Sequence, residues 1–157
     1  MKSTILLFVI AMTACTGGNK QTGNATDSVV AYALNDTIPL TRKQISKVPV
    51  ASYMIPINNP VLQQYFGVKV YETPFTFKYL LKMQYEGMIE TDTLKIPNFG
   101  TWPIVEVHKG ADKRSCIIGF LDKQKNFKEY KILSAKGDKL SLVTLKRYGV
   151  GVYSSSK

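Results

Sequence analysis

His108 is the single histidine of the chain, and Cys116 lies eight residues beyond it. A thiol and an imidazole make a nucleophile and its base when the two side chains meet. Strand alternation decides whether these two can. A hairpin turn centred on Ala111-Asp112, within Gly110-Ala111-Asp112-Lys113, sets Val107 opposite Cys116 and Val105 opposite Ile118. Val105, Val107, Cys116, Ile118 and Phe120 then share one apolar face, while Glu106, His108 and Ser115 take the other. Slipping by one residue would join His108 to Cys116 but would put Glu106 beside Ile118 and spoil that face. Cys116 therefore reads as a core thiol, in keeping with the strong burial of free cysteine.

Other chemistries find still fewer residues. A zinc site needs three or four clustered ligands, which one histidine and one spare cysteine do not supply, so no metal and no cofactor is expected. The sequence has no glycine-rich phosphate loop and no serine in a nucleophile-elbow setting. Glu86, Glu90 and Asp92 are close enough in sequence to raise glycoside chemistry, which uses paired carboxylates. Their alternating, turn-flanked setting instead reads as solvated surface. No catalytic residue is assigned. Trp102 precedes Pro103 at the entry to a strand and shares a face with Glu106 and His108 on this register. It either lids the core or, left exposed, marks with His108 a contact surface.

The elements that must position these residues are mostly strands. Phe75, Phe77, Tyr79, Leu81, Met83 and Tyr85 alternate with Thr76, Lys78, Leu80, Lys82, Gln84 and Glu86, a period of two that predicts a half-buried strand. Lys78, Lys82 and Glu86 also fit helical spacing, but the aromatic content favours strand. Val68 to Glu72 alternates as well, and Gly87 permits a turn into residues 88–96. Asn59-Pro60 looks like the cap and first turn of a brief helix over 61–66, stopped by Gly67. Residues 104–109 pair with 115–121, and 127–135 with 140–148 around Lys136-Gly137-Asp138-Lys139. Gly137-Asp138 suits a type II′ turn. That register opposes Ile132 to Val143 and Tyr130 to Leu145, as a core face, and Glu129 to Lys146 as an ion pair. The fold expected is mostly β: a single small antiparallel sandwich or partly closed barrel, with a C-terminal meander and at most one or two short helices.

Lysine and arginine number 21 against 11 acidic residues, for a net charge of +10. From Lys109 onward twelve basic residues face only Asp112, Asp122, Glu129 and Asp138, so the excess gathers in the C-terminal third. Lysines on exposed strand faces keep edges unpaired, and the same excess attracts anionic surfaces.

The N-terminus organises the rest. Lys2 precedes an apolar run, Ile5 to Met12, and small residues follow, the parts of a secretory signal. The run is too short for a bilayer core, which takes ~20 apolar residues. Loss of the signal removes Lys2 and lowers the net charge from +10 to +9. Thr16 to Asn35 is rich in Gly, Asn and Thr and reads as a flexible tether, reaching ~25 Å root-mean-square. The layout is a cleaved signal over 1–14, a tether over 15–35 and a β domain over 36–157.

Thr13-Ala14-Cys15 resembles the lipobox of bacterial lipoproteins, with Met12 where that pattern usually has leucine. The resemblance implies cleavage before Cys15 and a lipid on its thiol. Cys116 then has no intramolecular disulfide partner. Asp92-Thr93-Leu94-Lys95-Ile96-Pro97-Asn98-Phe99-Gly100, Cys116-Ile117-Ile118-Gly119-Phe120-Leu121-Asp122 and Glu129-Tyr130-Lys131-Ile132 are similar to segments of small Bacteroidales-type lipoproteins. Surface-exported members of that group often carry acidic residues after the cysteine. Thr16-Gly17-Gly18-Asn19-Lys20 has none, which implies, by resemblance, a protein facing the periplasm; residue 16 is not Asp, which in the enterobacterial sorting rule favours the outer membrane.

The function expected is a non-catalytic binding, inhibitory or structural accessory role in the bacterial envelope. The partners are the membrane, through Cys15, and an envelope protein. The alternative is a binder of an anionic small molecule or polymer, and a periplasmic hydrolase ranks last. Nucleic acid is not expected, because export removes the protein from most of it. The sequence leaves the oligomeric state open.

Overall fold

The computed structural model describes residues 28–29, 38–57 and 64–149. Its strands are β1 (Ser28–Val29), β2 (Ala51–Pro56), β3 (Tyr65–Glu72), β4 (Lys78–Glu86) and β5 (Met88–Lys95). They continue with β6 (Val105–Lys109), β7 (Ser115–Leu121), β8 (Phe127–Lys136), β9 (Lys139–Thr144) and β10 (Tyr148–Gly149). Strands β2-β3-β4-β5 form one antiparallel sheet and β6-β7-β8-β9 a second, the C-terminal meander. The two sheets pack as a sandwich and do not close into a barrel. No helix occurs among the described residues.

Alternation builds the first sheet. In β4, Tyr79, Leu81, Met83 and Tyr85 are all buried, and Lys78 and Lys82 are exposed. β3 answers with Phe66, Val68 and Val70, opposite Tyr85, Met83 and Leu81. The second sheet supplies Val105, Cys116, Ile118, Phe120 and Leu133 to the same core. Burying one such aliphatic or aromatic side chain stabilises by ~1.5–3 kcal/mol, which makes this shared layer the main cohesive element. The alternation does not extend to the start of the expected strand. Phe75 is exposed and Thr76 fully buried, because the chain at 74–76 turns to pair with residues 40–42.

Several expectations are corrected. The helix expected over 61–66 falls partly outside the described residues, but Tyr65 and Phe66 open β3, and Gly67 lies inside that strand. Gly67 sits opposite Met54, and a Cβ there would fall 1.8 Å from the Tyr53 carbonyl oxygen. It is needed for close strand approach and does not stop a helix. β2, which the sequence reading passed over, is an edge strand that tolerates Pro56 at its end. Ser28–Val29, within the stretch expected to be tether, pairs in parallel with Tyr148–Gly149.

The β6–β7 hairpin pairs two residues away from expectation. Val107 faces Ile118, and Lys109 faces Cys116. The cause is Ser115, whose hydroxyl donates to the Asp112 carbonyl and accepts from the Asp112 amide, both at 3.0 Å. These bonds close a longer loop between Gly110 and Ser115. A shift of two preserves the faces.

In β8–β9 the expected register holds: Ile132 faces Val143, and Lys146 reaches Glu129 at 3.1 Å. Gly137 has φ 61, the positive value that a type II′ turn requires at its first position. The inward face is not the expected one. Leu133 is fully buried, and Ala135, Leu140 and Leu142 pack on the core, whereas Val143 is exposed. A bulge explains this. Ile118 pairs with Lys131 and Gly119 with Glu129, leaving Tyr130 without a partner in β7 and reversing the side-chain parity along β8. Tyr130 still reaches the core, where its ring meets Phe120 edge-on at 6.0 Å.

Leu133→Ala should therefore cost about 3 kcal/mol of stability, the usual range for deleting a buried leucine side chain, and Ile132→Ala about 1 kcal/mol or less. Urea unfolding of the two variants checks the inverted face.

Candidate functional site

A strap over residues 38–50 crosses the end of the first sheet and builds the most developed polar site. The Arg42 amide donates to the Pro74 carbonyl at 2.8 Å and the Thr76 amide to the Leu40 carbonyl at 2.9 Å. Thr76, fully buried, donates its hydroxyl to the Pro39 carbonyl. These bonds carry Arg42 inward until only 6% of its side chain is exposed.

Arg42 Nη1 lies 3.1 Å from Glu72 Oε1, and Nη2 donates to the Thr76 carbonyl at 2.7 Å. Its guanidinium sits 4.9 Å from the centre of the Tyr79 ring. Nε is buried and has no hydrogen-bond partner among the described residues. Glu72 in turn accepts the Ser46 amide on Oε2 at 2.8 Å, which pins the far half of the strap. Burial pushes the Tyr79 phenol up from its ordinary pKa, and Arg42 draws it partly back.

Tyr79 links the strap to the loop that carries Trp102. Its hydroxyl donates to the Pro103 carbonyl at 2.8 Å, fixing the backbone just after Trp102. On the other side Phe99 is buried and stacks on Phe120 at 5.2 Å. Held at both ends, Trp102 projects with 52% of its surface exposed, so it is not a core lid. Between it and the strap lies an open hollow of about 620 Å³ lined by Pro39, Arg42, Lys43, Gln44, Glu72 and Trp102. Pockets for small molecules span ~300–1,000 Å³ and combine apolar surface with a few placed polar groups. Arg42 and Glu72 neutralise each other, so exposed Lys43 leaves the lining with one net positive charge.

The other sequence candidates lie elsewhere. His108 pairs with Ile117 across the hairpin, on the face opposite Cys116. Its ring stacks on Phe127 at 3.8 Å, and Nε2 lies 2.8 Å from Glu106 Oε2. Trp102 lines the hollow with strap residues, and His108 and Glu106 are not among the residues that line it. Glu90 and Asp92 are exposed on the edge strand β5, and Asp92 reaches Lys131 at 3.6 Å. Among the described residues, no three His, Cys, Asp or Glu side chains gather as metal ligands would. Cys15 lies outside the described residues. Sequence reasoning missed Arg42 and the strap altogether. Their side-chain bonds to β3 and the turn before β4 run to residues 26 to 37 positions away, and no periodicity marks them.

Cys116 is fully buried, and burial pushes its thiol up to about 12. An unfolded cysteine ionises near pH ~8.5. The buried neutral thiol therefore contributes stability that is fully present below that pH and is lost as pH rises toward about 12. Iodoacetamide at pH 8 should alkylate Cys116 only after denaturant is added, and Cys116→Ala should flatten the alkaline loss of stability. No protein-family model, curated protein or solved structure was found to match this chain.

Proposed function

We propose that the chain is a lipid-anchored, non-catalytic binding protein of the bacterial envelope, held by Cys15 at the outer membrane and facing the periplasm. The anchor rests on Lys2, the apolar run from Ile5 to Met12, and Thr13-Ala14-Cys15. Each buried methylene is worth ~0.8 kcal/mol and one acyl chain holds only weakly, so several chains on one thiol make release negligible. The binding role is carried by one observation: the half-exposed indole of Trp102 lines a hollow, on a loop whose backbone is tied to Tyr79 at Pro103. Tryptophan is among the side chains that most often dominate binding energy. In the first reading the occupant is a segment of an envelope protein, in an accessory or inhibitory complex. The positive charge left by Lys43 favours a second reading, in which the hollow takes an anionic small molecule or the residue of a polymer.

Cys15→Ser tests the anchor. Metabolic acyl labelling should disappear, and the protein should leave the detergent phase or accumulate unprocessed. Screened attraction between +9 of charge and anionic lipid is reversible, so it cannot substitute for the lipid. A Cys15→Ser protein that is processed efficiently and stays on membranes through a high-salt wash contradicts the anchor.

A further inference from the structure

We infer that the hollow beside Trp102 binds an acidic saccharide, a sugar ring bearing a carboxylate; this rests on the second of the two binding readings above. Three features of the lining converge on that chemistry. The first is Trp102, an exposed flat apolar face set beside polar side chains. A sugar ring has a matching character, with C–H bonds on its faces and hydroxyls around its rim. It can cover the indole without stranding its own polar groups, and unsatisfied polar groups are what make burial costly.

The second feature is the arrangement of acceptors and donors. Glu72 uses Oε1 for Arg42 and Oε2 for the Ser46 amide, and each carboxylate oxygen has a second lone pair for a hydroxyl donor. Gln44 offers both an amide donor and an acceptor. Arg42 is already held by Glu72, the Thr76 carbonyl and the Tyr79 ring, so it shapes the wall and fixes Glu72 as a carboxylate that cannot swing away.

The third is charge. With Arg42 and Glu72 paired, Lys43 is the cation left to meet a ligand carboxylate. The same balance disfavours organic cations, which prefer aromatic cages over a net positive lining. It also disfavours phosphate esters relative to carboxylates. A dianionic phosphate would stand close to Glu72, whereas a single carboxylate at Lys43 can keep its distance while the ring hydroxyls approach Glu72.

Trp102 is the single tryptophan of the chain, so its emission reports this hollow alone. The mature chain with Cys15→Ser is titrated with trigalacturonic acid, with maltotriose as a neutral sugar of equal length, and with adenosine monophosphate. Trigalacturonic acid is expected to give a saturable blue shift and to bind about tenfold tighter than maltotriose, with a preference that fades as salt is raised. Lys43→Gln should remove that tenfold preference. Calorimetry on Trp102→Ala should show at least a tenfold loss for both sugars. The inference is overturned by emission that no sugar changes, by adenosine monophosphate binding as tightly as trigalacturonic acid, or by a sugar preference that survives Lys43→Gln. The anchor stands or falls separately, on acyl labelling. Absence of sugar binding alongside a Trp102-dependent complex with a defined envelope protein would remove this inference and leave the first binding reading intact.

Discussion

The guanidinium of Arg42 is the point where the strap, the first sheet and the Trp102 loop are tied together. It binds Glu72 at the end of β3, the Thr76 carbonyl before β4, and the face of Tyr79, whose hydroxyl holds Pro103. Two charges removed from water carry a desolvation cost that their attraction only partly offsets, so such a pair adds little net stability. Removing one partner is different, because it strands the other charge. The pair therefore specifies where the strap lies more than it strengthens the fold. Nε, which has no hydrogen-bond partner among the described residues, adds to the cost, since a buried donor left unsatisfied costs ~1–3 kcal/mol. The molecule maintains this arrangement at a corner that the hydrophobic core does not require.

Most stabilisation comes from the layer between the sheets, and that layer was the part most legible in the sequence. Tyr79, Leu81, Met83 and Tyr85 announce their buried face by alternation alone, and β3 repeats the pattern beside them. Turn chemistry fixed the β8–β9 register, down to the Glu129–Lys146 pair. Side-chain direction along β8 was not legible, because one residue skipped in the β7–β8 ladder, Tyr130, reverses it, and a bulge leaves no mark in composition. The β6–β7 loop shows the complementary case. Ser115 lengthened the turn by local hydrogen bonds, yet the apolar face survived because the shift was even.

The candidate site was only half legible. Trp102 stood out by type, and its two alternatives were resolved by exposure. His108 stood out by rarity, and the structure gives it Phe127 and Glu106 as partners and does not place it among the residues lining Trp102's hollow. The strap has neither period nor motif. Pro39, Arg42 and Ser46 acquire meaning only through bonds to Thr76 and Glu72, contacts that close long loops. Features that depend on distant partners set the chemistry here, and local pattern sets the scaffold on which they rest.

The most direct measurement of this account is a double-mutant cycle between Arg42 and Glu72, using Arg42→Met, Glu72→Ala and the double variant, read by urea unfolding. If the buried pair holds the strap, each single variant should lose about 3 kcal/mol and the double variant no more than the worse single, a coupling of at least about 3 kcal/mol. Trp102 emission in the native state should shift in both single variants. Costs that simply add, with Trp102 emission unmoved, would show that the strap and the hollow stand without the pair and would contradict the account.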